Sequence, residues 1–406
     1  MMLLFMQGSV YGQNVLSLEQ VFRNIDLNNP ELKVYESTVR SKEAKVSGAR
    51  AWMAPMLGGG TYMTPYPGSQ PMDNSNKGAW MITAEQDIPN PGKIKARATY
   101  LSADADVSRL GRTVAYNELR FQARQLYMDL LIDFKKIGIQ KENLEIMRYM
   151  KKLAKVRYPY NQAGLNQIFK AEGREYESDN MLLMTQGDIK SKKIALNALM
   201  SQDPDTDFLP DTTFNVEFSP VAKVDTGYLA SRRSDIRQMD RSIRAMELNV
   251  NQMRKEAKPD FRLRFDHMSN YSGMMPAQYT LMGMISIPIA PWSSGMYKSQ
   301  VKAMNFEVQA MQQQKVAMLN QMQGMTRSME NELLTMQSQL RNYERKIIPS
   351  LSKNLSVSLL AFQENKLDLN NVIDAWEAKN MAQMNYLEQL QKFYQMIASY
   401  ERNIER

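Results

Sequence analysis

The stretch that decides the fold reads Tyr279-Thr-Leu-Met-Gly-Met-Ile-Ser-Ile287. Large or apolar residues alternate there with smaller or more polar ones, and this period of two is typical of a strand with one buried face. Pro288, Pro291 and Gly295 then interrupt the pattern. The sequence therefore predicts a short strand that ends where the prolines begin.

A long helix is predicted directly after this strand. From Met296 to about Lys346 the chain has no proline and only one glycine, Gly324. Methionines recur every seven residues, a repeat typical of a helix that winds against its neighbours. They are Met304, Met311, Met318 and Met325, with Met322, Met329 and Met336 at the second seam position. At about 1.5 Å per residue, such a helix is roughly 75 Å long.

Composition excludes several classes of protein. The 406 residues contain no run of about eighteen consecutive apolar residues, so the sequence predicts that any membrane insertion uses strands. Lys and Arg number 51 against 43 Asp and Glu, giving a net charge of +8. These basic residues are scattered along predicted helix faces, which argues against nucleic-acid binding. The absence of cysteine excludes disulfides, thiolate metal sites and thiol nucleophiles.

The amino terminus resembles part of a signal peptide. Residues 1–6 are apolar, and Val10 and Gly12 occupy the small-residue positions that precede cleavage by a signal peptidase before Gln13. A basic leader is missing. We interpret residues 1–12 as the remnant of a signal peptide, with a frayed terminus as the alternative.

The first half of the chain shows the same order of elements as the second. A helical segment begins near Leu16, breaks at Pro30 and ends before Pro55. Strands are predicted at 56–63 and 79–88, with a turn-rich loop between them. A long helix from Lys93 to about Arg157, a turn at 158–166 and a helix at 167–200 complete the half. Residues 201–231 are predicted to be a linker.

Five landmarks recur in one order at an offset of about 200 residues, which indicates an internal repeat. We therefore divide the chain into repeats at 13–200 and 232–406, and each reads helix, strand, loop, strand, long helix, tip, helix. Pro349 is predicted to kink or divide the second long helix. The landmark pairs are Pro30 and Ser234, Asp87-Ile-Pro89 and Ser286-Ile-Pro288, Gly92 and Gly295, Tyr160 and Phe362, and Ile168 to Ala171 and Val372 to Ala375.

The predicted strands have the length that crosses a bilayer core when tilted. One side of them is apolar and the other holds Thr83, Glu85 and Asp87, and Arg262 and Arg264. Open sheet edges are costly in hydrocarbon, and the smallest known barrels use about eight strands, so four strands cannot close alone. Three copies would supply twelve strands, and the long helices would continue that barrel as a helical tube. Such an assembly is a conduit.

This order of elements resembles that of the TolC-type outer membrane efflux channels. The resemblance covers Leu16 to Arg406 and rests on the Asn-Pro-Glu-Leu and Arg-Ser-Asp-Ile helix starts, the Ile-Pro strand ends and the Tyr-x-x-x-Gly tip. It implies a mainly α fold with a periplasmic α-barrel and four transmembrane strands per chain, shared in a twelve-stranded trimeric barrel. It also implies an outer membrane homotrimer in a Gram-negative bacterium, with a periplasmic adaptor and an inner membrane pump of the RND or ABC type as partners.

The resemblance also assigns roles to residues at the two predicted tips. The adaptor is expected to contact Tyr160, Gly164 and Leu165, and Phe362, Lys366 and Leu367. A ring of Asp374 side chains, one from each copy, could narrow and gate the pore. Asn371 stands where the family often has a first aspartate, which would make this gate less negative, and Asn365-Lys366 stands where a glycine is common.

Two classes of cargo stay open. The 33 methionines and a resemblance to the heavy-metal (CusC-like and CzcC-like) branch favour Cu(I) or Ag(I), which thioethers bind. The alternative is that methionine fills helix seams and the cargo consists of drugs or other small molecules. The methionines around the second strand pair are the speculative metal ligands: Met268, Met274, Met275, Met282 and Met284.

No catalytic site is predicted, and no cofactor. His267 beside Asp266 lacks a nearby nucleophile in the pattern. The segment from Asp203 to Asp207 imitates a calcium loop, but Phe208 replaces its glycine. Two other classes stay open: a periplasmic adaptor, and a structural coiled-coil protein. The adaptor usually has one hairpin between β-rich segments, and a structural coiled coil would not explain two proline-flanked strand pairs.

Overall fold

The computed structural model describes residues 15–69, 77–160, 162–212, 218–271, 273 and 276–405. The predicted signal-peptide remnant at 1–12, residues 213–217 of the predicted linker, and Met274 and Met275 lie outside these residues. Within them, no helix is both long and apolar enough to cross a membrane.

The described chain is mainly helical, with a small amount of sheet. The helices are α1 (Leu18–Asn28), α2 (Pro30–Gly48), α3 (Pro91–Arg157), α4 (Leu165–Met200), α5 (Thr226–Arg232), α6 (Ser234–Lys255), α7 (Pro291–Asn342), α8 (Ile348–Gln363) and α9 (Leu369–Ile404). The strands are β1 (Val15–Leu16), β2 (Met56–Tyr62), β3 (Ala79–Ile88), β4 (Leu209–Pro210), β5 (Phe261–Asn270) and β6 (Gln278–Ile285).

Most predicted elements are present at their predicted places. Ser17 caps α1 and exchanges hydrogen bonds with Gln20, so that both form a capping box. The second long helix is divided before Pro349, as predicted, and the division is a π-helical segment at Tyr343–Ile347. Two features were not predicted: the short parallel pair of β1 with β4, and α5 at the end of the linker.

The chain forms two compact units that run across the two sequence repeats. The first comprises residues up to Lys33, Thr113–Ser234 and Leu319–Arg406. Part of its interior is built from the middle of α3, from α1 and from the carboxyl-terminal half of α9, and a second cluster lies behind the tips. Tyr127 is fully buried there, donates a hydrogen bond to the Leu16 carbonyl over 2.8 Å and accepts one from the Asp211 amide over 2.8 Å. One side chain thus links the strand segments β1 and β4.

The second unit comprises Val34–Arg112 and Asp235–Met318. It contains a four-stranded antiparallel sheet in the order β2-β3-β5-β6. The central pairing of β3 with β5 joins the hairpin of the first repeat to that of the second, with Ala79 opposite Asn270 and Ile88 opposite Phe261. Helix α2 is attached to α3 by ion pairs that include Lys42 with Asp104 at 2.8 Å.

The methionine seam predicted for the second long helix is only partly buried in the chain. Met304 and Met336 are buried, whereas Met325 is 44% exposed. The buried positions are instead Leu319, Thr326, Leu333 and Leu340. The buried repeat in this part of α7 thus keeps the predicted period of seven but lies one position after the methionines.

Replacing Tyr127 by Phe should loosen the attachment of β1 and β4. Burial raises the pKa of Tyr127 to about 12, so its phenol keeps the proton that it donates to Leu16. The variant removes the hydrogen bond donated to the Leu16 carbonyl and the one accepted from the Asp211 amide, at a cost of about 1–3 kcal/mol. We expect hydrogen exchange of the Asp211 amide to accelerate by roughly fivefold to a hundredfold.

The matched control is Tyr66→Phe, because Tyr66 is highly exposed. Unchanged exchange at Asp211 in Tyr127→Phe would contradict the assigned role.

Candidate functional site: a two-faced sheet and two helical tips

One face of the four-stranded sheet is apolar and uncovered. The register places Ile82 opposite His267, which lies opposite Tyr279, and places Ala84 opposite Phe265, which lies opposite Leu281. Because directly opposite residues share a face, this face is a continuous row of aromatic and aliphatic side chains. Leu281 is 62% exposed, although it is an aliphatic side chain in a strand. An exposed apolar face of this extent is typical of a surface that meets lipid or another protein.

The opposite face carries a chain of charges that satisfy one another. Arg262 contacts Glu85 at 2.7 Å and Asp87 at 2.6 Å. Arg264 lies 3.0 Å from Asp266, which also accepts a 2.6 Å hydrogen bond from the Thr83 hydroxyl. The sheet therefore has one face suited to an apolar medium and one suited to water. This is the division predicted from the alternation in the sequence.

The predicted methionine ligands among the described residues lie on the charged face of the sheet, beside arginines. The register puts Met282 opposite Arg264 and Met284 opposite Arg262 on the charged face, and Met268 opposite Met81. A guanidinium beside a thioether opposes the binding of a cation. His267 lies on the apolar face, its ring 5.4 Å from that of Trp80. Among the described residues, no group of three or more His, Asp and Glu side chains is placed to hold a metal ion.

The first tip connects α3 to α4 and is open to solvent. A short 3-10 turn at Tyr158–Tyr160 ends α3, and α4 begins after Gly164. Tyr160 is 72% exposed and Leu165 is 47% exposed. Both side chains are thus free to contact another molecule, as the predicted role requires.

The second tip connects α8 to α9, and one of its residues has a left-handed backbone conformation. Asn365 has a φ of 57°, and the Lys366 amide donates to the Ala361 carbonyl over 2.8 Å. This is the hydrogen bond of a Schellman-type helix end, which usually uses glycine and sometimes asparagine. Asn365 therefore supplies the left-handed backbone conformation that glycine most often supplies at a helix end. Lys366 is exposed and Leu367 is half-buried.

Phe362, predicted as a contact residue, is instead part of the protein interior. Its side chain is 2% exposed and packs in a core cluster with Ile168, Leu369 and Trp376. The Arg157 guanidinium lies 4.6 Å from the centre of its ring. A buried ring cannot contact a partner through its side chain, so we assign Phe362 to the support of the tip.

The helices behind the two tips are joined by three polar pairs. Gln167 donates to Asp368 over 2.7 Å, Lys170 lies 3.1 Å from Asp374, and Arg174 donates to Glu377 over 2.6 Å. We call these three pairs the α4–α9 ladder. Asp374 and Asn371, the predicted gate residues, are both exposed, but the charge of Asp374 is partly balanced by Lys170. This balance cannot be predicted from the local sequence, because Lys170 is 204 residues away in the chain.

A second ionic contact pairs α3 with α4. Burial alone would raise the pKa of the Glu175 carboxyl, but hydrogen bonds from Lys151 and then Arg148 outweigh it and lower the pKa. The contribution of this carboxylate to stability is therefore present above its ordinary pKa and is lost as the pH falls through the lowered value.

Comparisons with known proteins identify the fold. No protein-family model and no curated protein matches the chain. Among solved structures, the outer-membrane channel OprN has a TM-score of 0.79 at 14% identity, covering 95% of this chain and 89% of that chain. CusC, described for its transmembrane channel formation, has a TM-score of 0.77 at 14% identity and covers 98% and 95%. The Campylobacter jejuni CmeC outer membrane channel has a TM-score of 0.74 at 14% identity and covers 95% and 85%.

The chain has the fold of the TolC-type outer membrane efflux channels. The likeness extends over nearly the whole described chain, so both the sheet and the tips belong to the TolC-type fold. At this level of identity, the fold is established, and the chemistry of the site has to be argued from this chain's own residues.

Truncating Phe362 should release the second tip. Phe362→Ala removes a buried ring and costs about 3–5 kcal/mol where the surroundings cannot collapse. We expect faster amide hydrogen exchange at residues 364–368 and a lower melting temperature. Leu360→Ala is the control, because Leu360 is exposed on the same helix and its loss should cost less than about 0.5 kcal/mol. Equal effects of the two variants would contradict the supporting role of Phe362.

Proposed function

We propose that this chain is one subunit of a homotrimeric outer membrane channel that acts as a passive conduit in a tripartite export system. The observation that supports this most is the two-faced sheet within a TolC-type fold. Its apolar face is uncovered in the single chain, and its other face holds a self-satisfied set of charges. Lipid on one side and a water-filled lumen on the other would match these two faces.

The proposed assembly pools the sheets of three copies. In hydrocarbon, each unpaired backbone group costs several kcal/mol, so a four-stranded sheet with open edges is unstable there. Three copies supply twelve strands, enough to close a barrel. The helical part of the chain would then lie in the periplasm of a Gram-negative bacterium.

The proposed partners are a periplasmic adaptor and an inner membrane pump of the RND or ABC type. We place the adaptor contact at the exposed tip residues Tyr160, Leu165 and Lys366, with Gly164 and Leu367 beside them. Phe362 supports this surface from within. The proposed gate is Asp374 with Asn371, and its negative charge is lowered by Lys170.

Two cargo classes remain as candidates. The similarity to CusC and the 33 methionines favour Cu(I) or Ag(I). The arginines opposite Met282 and Met284 favour a general small-molecule conduit. A conduit requires no cargo-binding site, so either cargo is compatible with the fold.

An arginine added to either face of β6 tests which face contacts lipid. Leu281→Arg puts a guanidinium on the apolar face and should cost about 2–4 kcal/mol if that position lies near the bilayer midplane. We expect it to abolish trimers that resist mild detergent in the outer membrane fraction. Thr280→Arg, the adjacent residue on the charged face, should still assemble. If both variants assemble equally, or if the wild-type protein is found in the soluble fraction, the proposal fails, and an adaptor or scaffold is indicated.

Deletion of the gene tests the export role and separates the two cargoes. If the cargo is Cu(I) or Ag(I), we expect the deletion strain to grow poorly on copper and silver. If the cargo consists of drugs and other small molecules, we expect it to grow poorly on dyes, detergents and drugs. The wild-type gene should restore growth. Normal growth of the deletion strain on the whole panel would contradict an export role, provided that no second channel gene substitutes.

The tip assignment is tested in the same strain. Leu165→Glu should fail to restore growth, because a carboxylate on the exposed tip opposes docking of an apolar partner surface. Leu183→Glu, at another exposed position of α4, is the control and should restore it.

A further inference from the structure

A basic cavity lies in the second unit, beside the end of the sheet. Its volume is about 870 Å³, and its walls come from the end of α2, the segment before β2, the end of β3 and the faces of α3 and α6. Four basic side chains line it: Arg50, Lys95, Arg241 and Arg244. We call this the basic cavity.

The positive charge of the basic cavity is largely uncompensated. Its acidic lining residue, Asp106, is bound by Arg109, and Arg244 lies 3.0 Å from Glu247. Within the described ranges, no ion pair involves Arg50, Lys95 or Arg241. All three are exposed, so their charged groups are available to a ligand.

Two helix faces present donors to the same space. Lys95, Thr99 and Ser102 recur at helical spacing along α3, and Arg241 and Arg244 do so along α6. Guanidinium groups bind phosphate oxygens in a bidentate manner, and the Ser102 hydroxyl can donate to a remaining oxygen. The Thr99 hydroxyl lines the cavity but donates to the Lys95 carbonyl over 2.8 Å. This donor set matches a phosphate ester.

The basic cavity is continuous with the apolar face of the sheet. Ile88 lines the cavity and lies opposite Phe261, in the same apolar row as Ile82 and Phe265. Trp52, which is 57% exposed, stands at the cavity, and Trp is enriched where apolar and aqueous regions of a membrane meet. An acyl chain on the apolar face would therefore have its head group at the basic cavity.

We propose that the basic cavity binds the head group of an anionic membrane phospholipid whose acyl chains lie against the apolar sheet face. A zwitterionic lipid brings an ammonium group that the four basic side chains repel, so anionic lipids are selected. The proposal rests on the proposed membrane location, and it adds a lipid preference to it.

The test uses the full-length protein, reconstituted in vesicles of phosphatidylcholine and phosphatidylglycerol in equal amounts and then extracted in detergent. Lipid retained on the protein is quantified by mass spectrometry. We expect the ratio of phosphatidylglycerol to phosphatidylcholine on the wild-type protein to exceed that of the vesicles by about tenfold or more. In Lys95→Gln/Arg241→Gln, this ratio should equal that of the vesicles. The control Arg341→Gln/Lys353→Gln, an equal charge change at exposed positions of the other unit, should keep the enrichment.

Two further arms separate the alternatives. The charge-conserving variant Lys95→Arg/Arg241→Lys should keep the enrichment, which shows that loss in the first variant is not a folding defect. Excess inorganic phosphate should leave the retained lipid unchanged. The proposal is overturned if inorganic phosphate displaces the lipid, or if Lys95→Gln/Arg241→Gln retains the lipid. It is also overturned if Lys95→Gln/Arg241→Gln changes only the oligomeric state, because the basic side chains would then form a contact between copies. Failure of the wild-type protein to enter pure phosphatidylcholine vesicles would instead contradict the proposed function itself.

Discussion

The edge strands of the four-stranded sheet have backbone N–H and C=O groups that need hydrogen-bond partners. The rest of the structure depends on this constraint. The order β2-β3-β5-β6 leaves β2 and β6 at the edges, and within the described residues neither has a strand on its outer side. In water such edges are hydrated, but beside the uncovered apolar face they would lie in lipid. The proposed sharing of strands among copies follows from this constraint. It needs no assumption about cargo.

The internal repeat predicted from the sequence aligns residues that lie together behind the tips. Ile168, Ala171, Val372 and Ala375 were landmarks of the repeat in the sequence, and all four are buried in one core cluster. Positions that the predicted repeat aligns thus belong to one buried cluster. The two tips are nevertheless built differently: the first begins its helix after Gly164 in an extended conformation, and the second turns through a left-handed Asn365. A core shared by both halves tolerates these different turns, because it fixes the helices behind them.

The sequence predicted the elements well and their partners poorly, for a physical reason. Strand alternation and proline positions act locally, so the bounds of β3 and the break before Pro349 could be predicted from the residues themselves. Three features depend on residues about 84 to 201 positions away: the burial of Phe362, the link from Tyr127 to β1 and β4, and the α4–α9 ladder. Even a clear repeat does not specify which member of an aligned pair is buried: Tyr160 is exposed and Phe362 is not.

The π-helical segment before Pro349 explains how the buried side of α7 continues into α8 across a proline. Pro349 has no amide hydrogen, and in a regular helix its ring would clash with the carbonyl four residues earlier. The π turn gives that region one extra residue, with the Ile348 amide bonded to the Tyr343 carbonyl. The buried positions Leu333 and Leu340 are one heptad apart, as are Leu355 and Phe362, but the step from Leu340 to Leu355 is one residue longer than two heptads. The extra residue in the π turn matches this step, so the proline changes the phase of the repeat while the buried stripe stays on one side. Phe362 reaches the core of the tip because of that insertion.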